Sequence, residues 1–308
     1  MQLSPGMFKP LQYRVVQTEL VRPSTTYWQD AWRRLRKNPV AMGSLALIIL
    51  IILLAVFGPL LSPYTYSEQD FARKNQGPSA EHWFGTDALG RDLFTRVLHG
   101  ARISLSIGFA ASLVTLFGVL YGAVSGFSGG WIDNVMMRFV DIMYSIPFLL
   151  WVILMMVYFK EIFPENAGLI SMYIALGLVY WLPMARIVRG QILSLKEQEF
   201  VLAAHTIGAP KGRILLRHLI PNCMGPVIVT ATLTIPEAIF TEAFLSFIGL
   251  GVSAPRASWG TLASDALVSL KSYPHLLFFP AAAICITLLA FNFLGDGLRD
   301  ALDPKMRK

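Results

Sequence analysis

Charge is scarce in this sequence. Asp, Glu, Lys and Arg make up 15% of its 308 residues, while 55% are hydrophobic and the mean hydropathy is +0.55. So little charge cannot clothe a water-soluble domain, and lipid is the solvent the composition implies. Cysteine is nearly absent as well. Cys223 and Cys285 stand far apart, with no CxxC and no Cys/His ligand spacing, so neither a disulfide framework nor a metal site is implied. The sequence contains no Gly-Lys dipeptide, and a P-loop needs Gly-Lys-Ser/Thr to cradle phosphates. Any ATP chemistry must come from a partner, and the chain is expected to hold neither catalytic residues nor a cofactor. Internal repeats, low-complexity tracts and a second, soluble domain are also lacking.

Long apolar runs are present in their place. Crossing the hydrocarbon takes about 20 residues of helix, and six stretches qualify, near 40–61, 102–126, 137–159, 167–189, 224–249 and 275–296. The fold class expected is an all-α integral membrane protein of six transmembrane helices. Around them the chain divides into an N-terminal segment 1–39, an outer loop 62–101, a five-helix core 102–296 that includes an inner loop 190–223, and a tail 297–308. The first span is followed by Gly-Pro-Leu-Leu rather than a small-residue cleavage site, which reads as an uncleaved anchor.

The 26 Lys and Arg against 19 Asp and Glu raise the question of nucleic acid, but the basic residues crowd between the apolar runs and act there as topology signals. With the N-terminus inside, 18 of them fall on the cytoplasmic side and 8 outside. Both termini are therefore expected in the cytoplasm, with membrane lipid and not nucleic acid as a partner. Ahead of the first span, Trp28, Trp32 and Leu35 share a helical face, which predicts an amphipathic helix at the interface. In the second span, Gly118, Gly122 and Gly126 recur every four residues, a smooth stripe for close helix packing.

Few residues carry chemistry. Gly126-Phe127-Ser128-Gly129-Gly130 matches the spacing of a nucleophile elbow, but no histidine is placed near it to act as base, and the cluster reads as a turn. Carboxylates inside spans are costly and suggest function. Glu237, directly after the kinking Pro236, is a candidate for the lining of a substrate path; Glu242 and Asp141, nearer span ends, are weaker ones. A proton-coupled secondary transporter would need a relay of such groups, and two carboxylates in one span do not make one.

The inner loop is the most informative stretch. Ala203 and Ala204 offer a small-residue surface for a partner's groove, Gly208 permits a sharp turn, and Pro210 suits the start of a second helix carrying Ile214, Leu215, His218 and Leu219 on one stripe until Pro221 ends it. This is a helix-turn-helix plug suited to docking.

These residues resemble a known family. Ala203-Ala204, Gly208-Ala209-Pro210, Arg217-His218 and Pro221-Asn222 are similar to the EAA motif of type I ABC importer permeases, with Leu202 standing at the motif's glutamate position. Three further motifs resemble the C-type subunits of the dipeptide and oligopeptide group: Gly85-Thr86-Asp87 with Gly90-Arg91-Asp92; Leu245 to Gly251 followed by Ser258-Trp259-Gly260; and Phe291 to Pro304, with Asp296, Arg299 and Asp300. Arg186 and Arg189 fall in a stretch that resembles the oligopeptide branch. The resemblance implies peptide import across a bacterial plasma membrane by alternating access. It implies as partners a homologous second permease, two ATPase subunits that hold ATP and magnesium, and an extracytoplasmic peptide-binding protein. Nickel or another dipeptide-family solute is the alternative cargo.

Overall fold

The computed structural model describes residues 26–163 and 167–303. Expectations for residues 1–25, for Pro304 and for the end of the tail lie outside the described residues, as does the side chain of Lys160. Helix α1 (Tyr27–Lys37) begins at a capping box, Thr26 accepting from the backbone of Gln29 while Gln29 accepts from that of Thr26. Its Ala31 and Leu35 turn inward and Trp28 and Trp32 outward, so the three residues expected to share one face divide between protein and surroundings. Asn38 caps α2 (Pro39–Leu61), which is the first span.

The second span, α3 (Leu93–Ser128), is 36 residues long, starting nine residues before its expected bound. Asp92 starts it by accepting from Thr95 N–H. The glycine stripe of α3 packs on the backbone of α7 (Leu182–Leu195): a Cβ at Gly118 or Gly122 would stand 2.2 Å from the carbonyl oxygen of Trp181 or Ala185. Nothing larger than glycine fits there without moving a helix.

The third span departs from expectation. It is two helices, α4 (Gly130–Ser145) and α5 (Phe148–Ile162), bent by 77°. Pro147 has no N–H to offer and forces the preceding Ile146 to extended backbone, which ends α4. The fourth span is also interrupted, as α6 (Ala167–Val179) and α7, with Pro183 in the first turn of the second piece.

Beyond α7 come α8 (Glu199–Thr206) and the short α9 (Lys211–Ile214), then α10 (Ile220–Phe247). Pro221 does not end the second docking helix. The turn Leu215–Leu219 is π-helical, with Ile220 N–H donating to Leu215 O, and it carries the helix on into α10 as one apolar path from Lys211 to Phe247. Without an N–H at Pro221, the carbonyl of Arg217 cannot be bonded in the α pattern, and a wider turn absorbs the defect. The expected inner loop 190–223 thus contracts to residues 196–210 plus α9.

On the outer side Ser258 caps α11 (Trp259–Leu267), a helix that hydropathy does not reveal, and α12 (His275–Leu302) is the last span. Among the described residues five helices, or six with the bent pair, have the length and composition to cross a membrane.

Candidate functional site

Three places gather the residues singled out above. The outermost is the loop between α2 and α3. Asp87 accepts from the backbone of Leu89 and Arg91, from Arg91 Nε at 2.7 Å and from Arg96 Nη1. Burial is the largest influence on Asp87 and pushes its carboxyl up, but Arg96, Arg91 and the backbone donors together outweigh it and hold it below the usual carboxylate range. Across a cavity of about 230 Å³, Asp265 of α11 is pushed up by burial, with Arg96 and Arg91 opposing. Thr86 donates to Arg73 O and accepts from Gln76 N–H; Asp92 holds Thr95 and sits 2.9 Å from His82 Nδ1. Gly85 and Gly90 take positive φ, and a Cβ at Gly90 would run into the Asp70 backbone. The outer-loop motif therefore builds the loop and seats it on α11.

The second place lies at membrane depth, on one side of the bundle. Arg189 of α7 makes a two-point pair with Asp133 of α4 at 2.6 Å, and Ser125 of α3 donates to the same carboxylate. Nearer the start of α7, Arg186 pairs with Asp141 at 2.8 Å and lies over the Tyr144 ring, 4.2 Å from its centroid. Arg138 is exposed beside them. Glu237 of α10 follows, about 15 Å along the helix from its outer end. Glu237 is exposed, and it lines a cavity of about 370 Å³ with Tyr144, Phe148, Tyr180, Thr230 and Thr234. Charges open at this depth would cost about 3 kcal/mol or more apiece in lipid. This face must therefore meet water or protein.

Glu242, five residues on, corrects the sequence expectation of a path residue. It is fully buried, and its carboxylate accepts from Ser104 of α3, Ser246 of α10 and Ser258 at the head of α11. Ser104 also accepts from Trp259 N–H, and Trp259 Nε1 donates to Val97 O at 2.9 Å. Glu242 and Trp259 bolt three helices together, and the Glu242 carboxylate is fully buried between them. Asp141, a weaker candidate for the path, pairs with Arg186 within the chain.

The third place is the inner turn. Gly208 ends α8 at φ +77°, and Ala209 N–H reaches back to Ala204 O, a Schellman closure that favours glycine. Ala203 faces out, as expected, but Ala204 does not. It is buried with Val201, Ile214, Leu219 and Cys223 in the chain's own core. The exposed tip is Leu202, Ala203, Ile207 and Gly208, with Ile207 84% exposed, followed by Pro210, Lys211, Arg213, Leu216 and Arg217. Ala209 and His218 are half-buried, and Asn222 Nδ2 donates to His218 O. Sequence reasoning missed Ile207 and Leu216, whose signal was an apolar side chain on the polar side of each short helix. Asp296, Arg299 and Asp300 lie exposed at the inner end of α12, in no ion pair among the described residues.

A bundle of helices long and apolar enough to cross a membrane, which keeps a polar face at the depth of its spans and presents an apolar tip at one end, defines a membrane permease. Residues 118–308 match the family described as binding-protein-dependent transport system inner membrane component, and residues 26–78 match the N-terminal transmembrane domain of oligopeptide transport permease C. The chain belongs to this family, as a permease subunit of an ATP-binding-cassette importer and a multi-pass component of the inner membrane. It is 53% identical over 305 residues to the oligopeptide transport system permease protein OppC of Bacillus subtilis, covering 98% of each chain. It is 52% identical to that organism's dipeptide transport system permease protein DppC, covering 93% of this chain and 88% of the relative. Among solved structures, an inward-facing form of the MetNI methionine ABC transporter matches with a TM-score of 0.56 at 17% identity, over 67% of this chain and 95% of that one. That likeness concerns the fold alone.

Proposed function

We propose that this chain imports short peptides as one half of a two-permease pore, with a homologous second permease, two ATPase subunits below and an extracytoplasmic peptide-binding protein above. ATP and magnesium belong to the ATPase subunits, and this chain contributes no catalytic group. The relatives' names, oligopeptide and dipeptide transport, point to the cargo class.

The observation that carries the reading is the inner turn. An isoleucine left 84% exposed on a glycine-closed tip, with Leu202 and Leu216 exposed near it, is a surface made to be covered. Its rim carries Lys211, Arg213 and Arg217, so the fitting partner is a cytoplasmic protein with an apolar cleft, the role proposed for the ATPase. The polar face of Arg138, Asp141, Arg186 and Glu237 is proposed to line the path, closed on its other side by the second permease.

Ile207→Asp tests the docking. It should leave the chain at normal abundance and cut co-purification of the ATPase about tenfold, since a charge forced into an apolar cleft costs more than 1.4 kcal/mol. Ala204→Asp should act differently, lowering abundance because Ala204 belongs to the core. Normal co-purification and transport by Ile207→Asp would refute the assignment of the tip.

A further inference from the structure

The cavity around Glu237 sits beside two helix breaks, where α4 gives way to α5 at Ser145–Pro147 and α6 to α7 at Tyr180–Trp181, and beside Pro236 in the interior of the continuous α10. The hydrogen bonds of its polar lining have a consistent sense. Thr241 Oγ1 donates to Glu237 O at 2.8 Å, so its only proton is committed, and the Tyr180 hydroxyl 2.8 Å away must donate to Thr241. Tyr180 oxygen is left with lone pairs. Thr234 Oγ1 likewise donates to Thr230 O at 2.9 Å and keeps only acceptor capacity. The Glu237 carboxylate is an acceptor outright.

Among the described residues no cation is paired with these acceptors. Among the described residues no basic side chain is ion-paired with Glu237, and Arg186 on the inner side is held by Asp141 and stacked on Tyr144. The contrast with Glu242, which has three hydroxyl donors and no open space, is direct. A carboxylate held at membrane depth in an open, acceptor-lined cavity wants a donor-rich cation.

We propose that Glu237 receives the α-ammonium of the peptide in transit, with Tyr180 and Thr234 as further acceptors and the rings of Tyr144 and Phe148 against the peptide's apolar parts. An ammonium brings three donors and one positive charge; the hydroxyls of Tyr144 and Thr230 also line the cavity, but they are neutral and do not balance the carboxylate. This rests on the peptide-import reading and adds to it a residue that selects for a free N-terminus during translocation rather than at capture.

The test uses the complete importer in proteoliposomes, supplied with binding protein loaded with labelled tri-alanine or with N-acetyl-tri-alanine. Uptake is divided by the loaded fraction of binding protein, and co-purification of the subunits controls for assembly. The wild type should favour the free amine by about tenfold or more, the scale of a charge-assisted hydrogen bond. Glu237→Gln should slow tri-alanine to near the acetylated rate and leave the acetylated rate alone, while Glu237→Asp should keep part of the preference. An equal loss for both peptides, or no loss of preference, overturns the ammonium assignment while leaving peptide import intact. A wild-type importer that moves neither peptide overturns the import reading itself, and this inference with it.

Discussion

Gly122→Ala adds one methyl group to the seam between α3 and α7, and the structure sets its cost. The new Cβ would stand 2.2 Å from Ala185 O and 3.0 Å from Ala185 Cα, both backbone atoms that cannot rotate away, whereas ordinary contact begins at 3.4 Å. One helix must retreat by about 1.2 Å along that line, and overpacking of this kind costs roughly 1–3 kcal/mol. A 2.2 Å approach to immovable backbone belongs at the ~3 kcal/mol end of that range, and alanine returns about 1 kcal/mol of helix propensity, leaving a net loss of about 2 kcal/mol. At roughly 2–4 °C per kcal/mol for a chain of this size, the unfolding midpoint should fall by about 4–8 °C. The same substitution at Gly177 of α6, where no atom lies within 4 Å of the added Cβ, has no clash to offset the propensity and should leave the midpoint level or raise it slightly. Cys223 supplies the assay. It is buried in the cluster that holds Val119 and Ala123 of α3 and Met184 and Val188 of α7. In a Cys285→Ser background, the temperature at which a thiol-reactive dye labels Cys223 reports opening of that seam. A Gly122→Ala chain that labels at or above the wild-type temperature would refute the close approach of α3 to α7.

Two further outcomes follow from buried polar groups. Glu242→Leu strands the hydroxyls of Ser104, Ser246 and Ser258, at about 1–3 kcal/mol for each donor left unsatisfied, and should lower the Cys223 labelling temperature; adding Ser258→Ala should recover part of the loss. A single variant as stable as wild type would show that the network carries no load. The carboxyl of Asp87 is held below its usual range, so the stability it lends is fully present above the unfolded value near ~3.9 and is lost as pH falls through the lower folded value. Hydrogen exchange at the Leu89 and Arg91 amides, corrected for intrinsic rate, should therefore stay slow at pH 5 and rise well below pH ~4, whereas Asp87→Asn should exchange faster than wild type at pH 5 and above, the two converging once the wild-type carboxyl is protonated. Wild-type protection in Asp87→Asn at neutral pH would refute the anchoring role.

Much of this protein was legible without coordinates because it rests on local rules. Apolar runs of about 20 residues mark spans wherever they occur, a glycine every fourth residue puts one bare stripe on a helix whatever lies opposite, and Gly208 closes its turn through its own backbone. The break in the third span was written in Pro147, but hydropathy summed over a window does not register a missing N–H. Pro221 misled for the reason that Pro147 was missed: a proline removes one hydrogen bond, and whether the helix stops, bends by 77° or widens into a π turn depends on what packs around it. Pairing across the fold was out of reach. Arg189 finds Asp133 at a separation of 56 residues, and Glu242 finds Ser104 at 138, because α7, α10 and α11 are brought against α3 and its neighbours. Glu237 and Glu242 show the division most plainly. Five residues apart on one helix they carry the same chemistry, but at 3.6 residues per turn they point to different sides. One side is filled by serines and the other opens on a cavity, a difference set by the neighbouring helices.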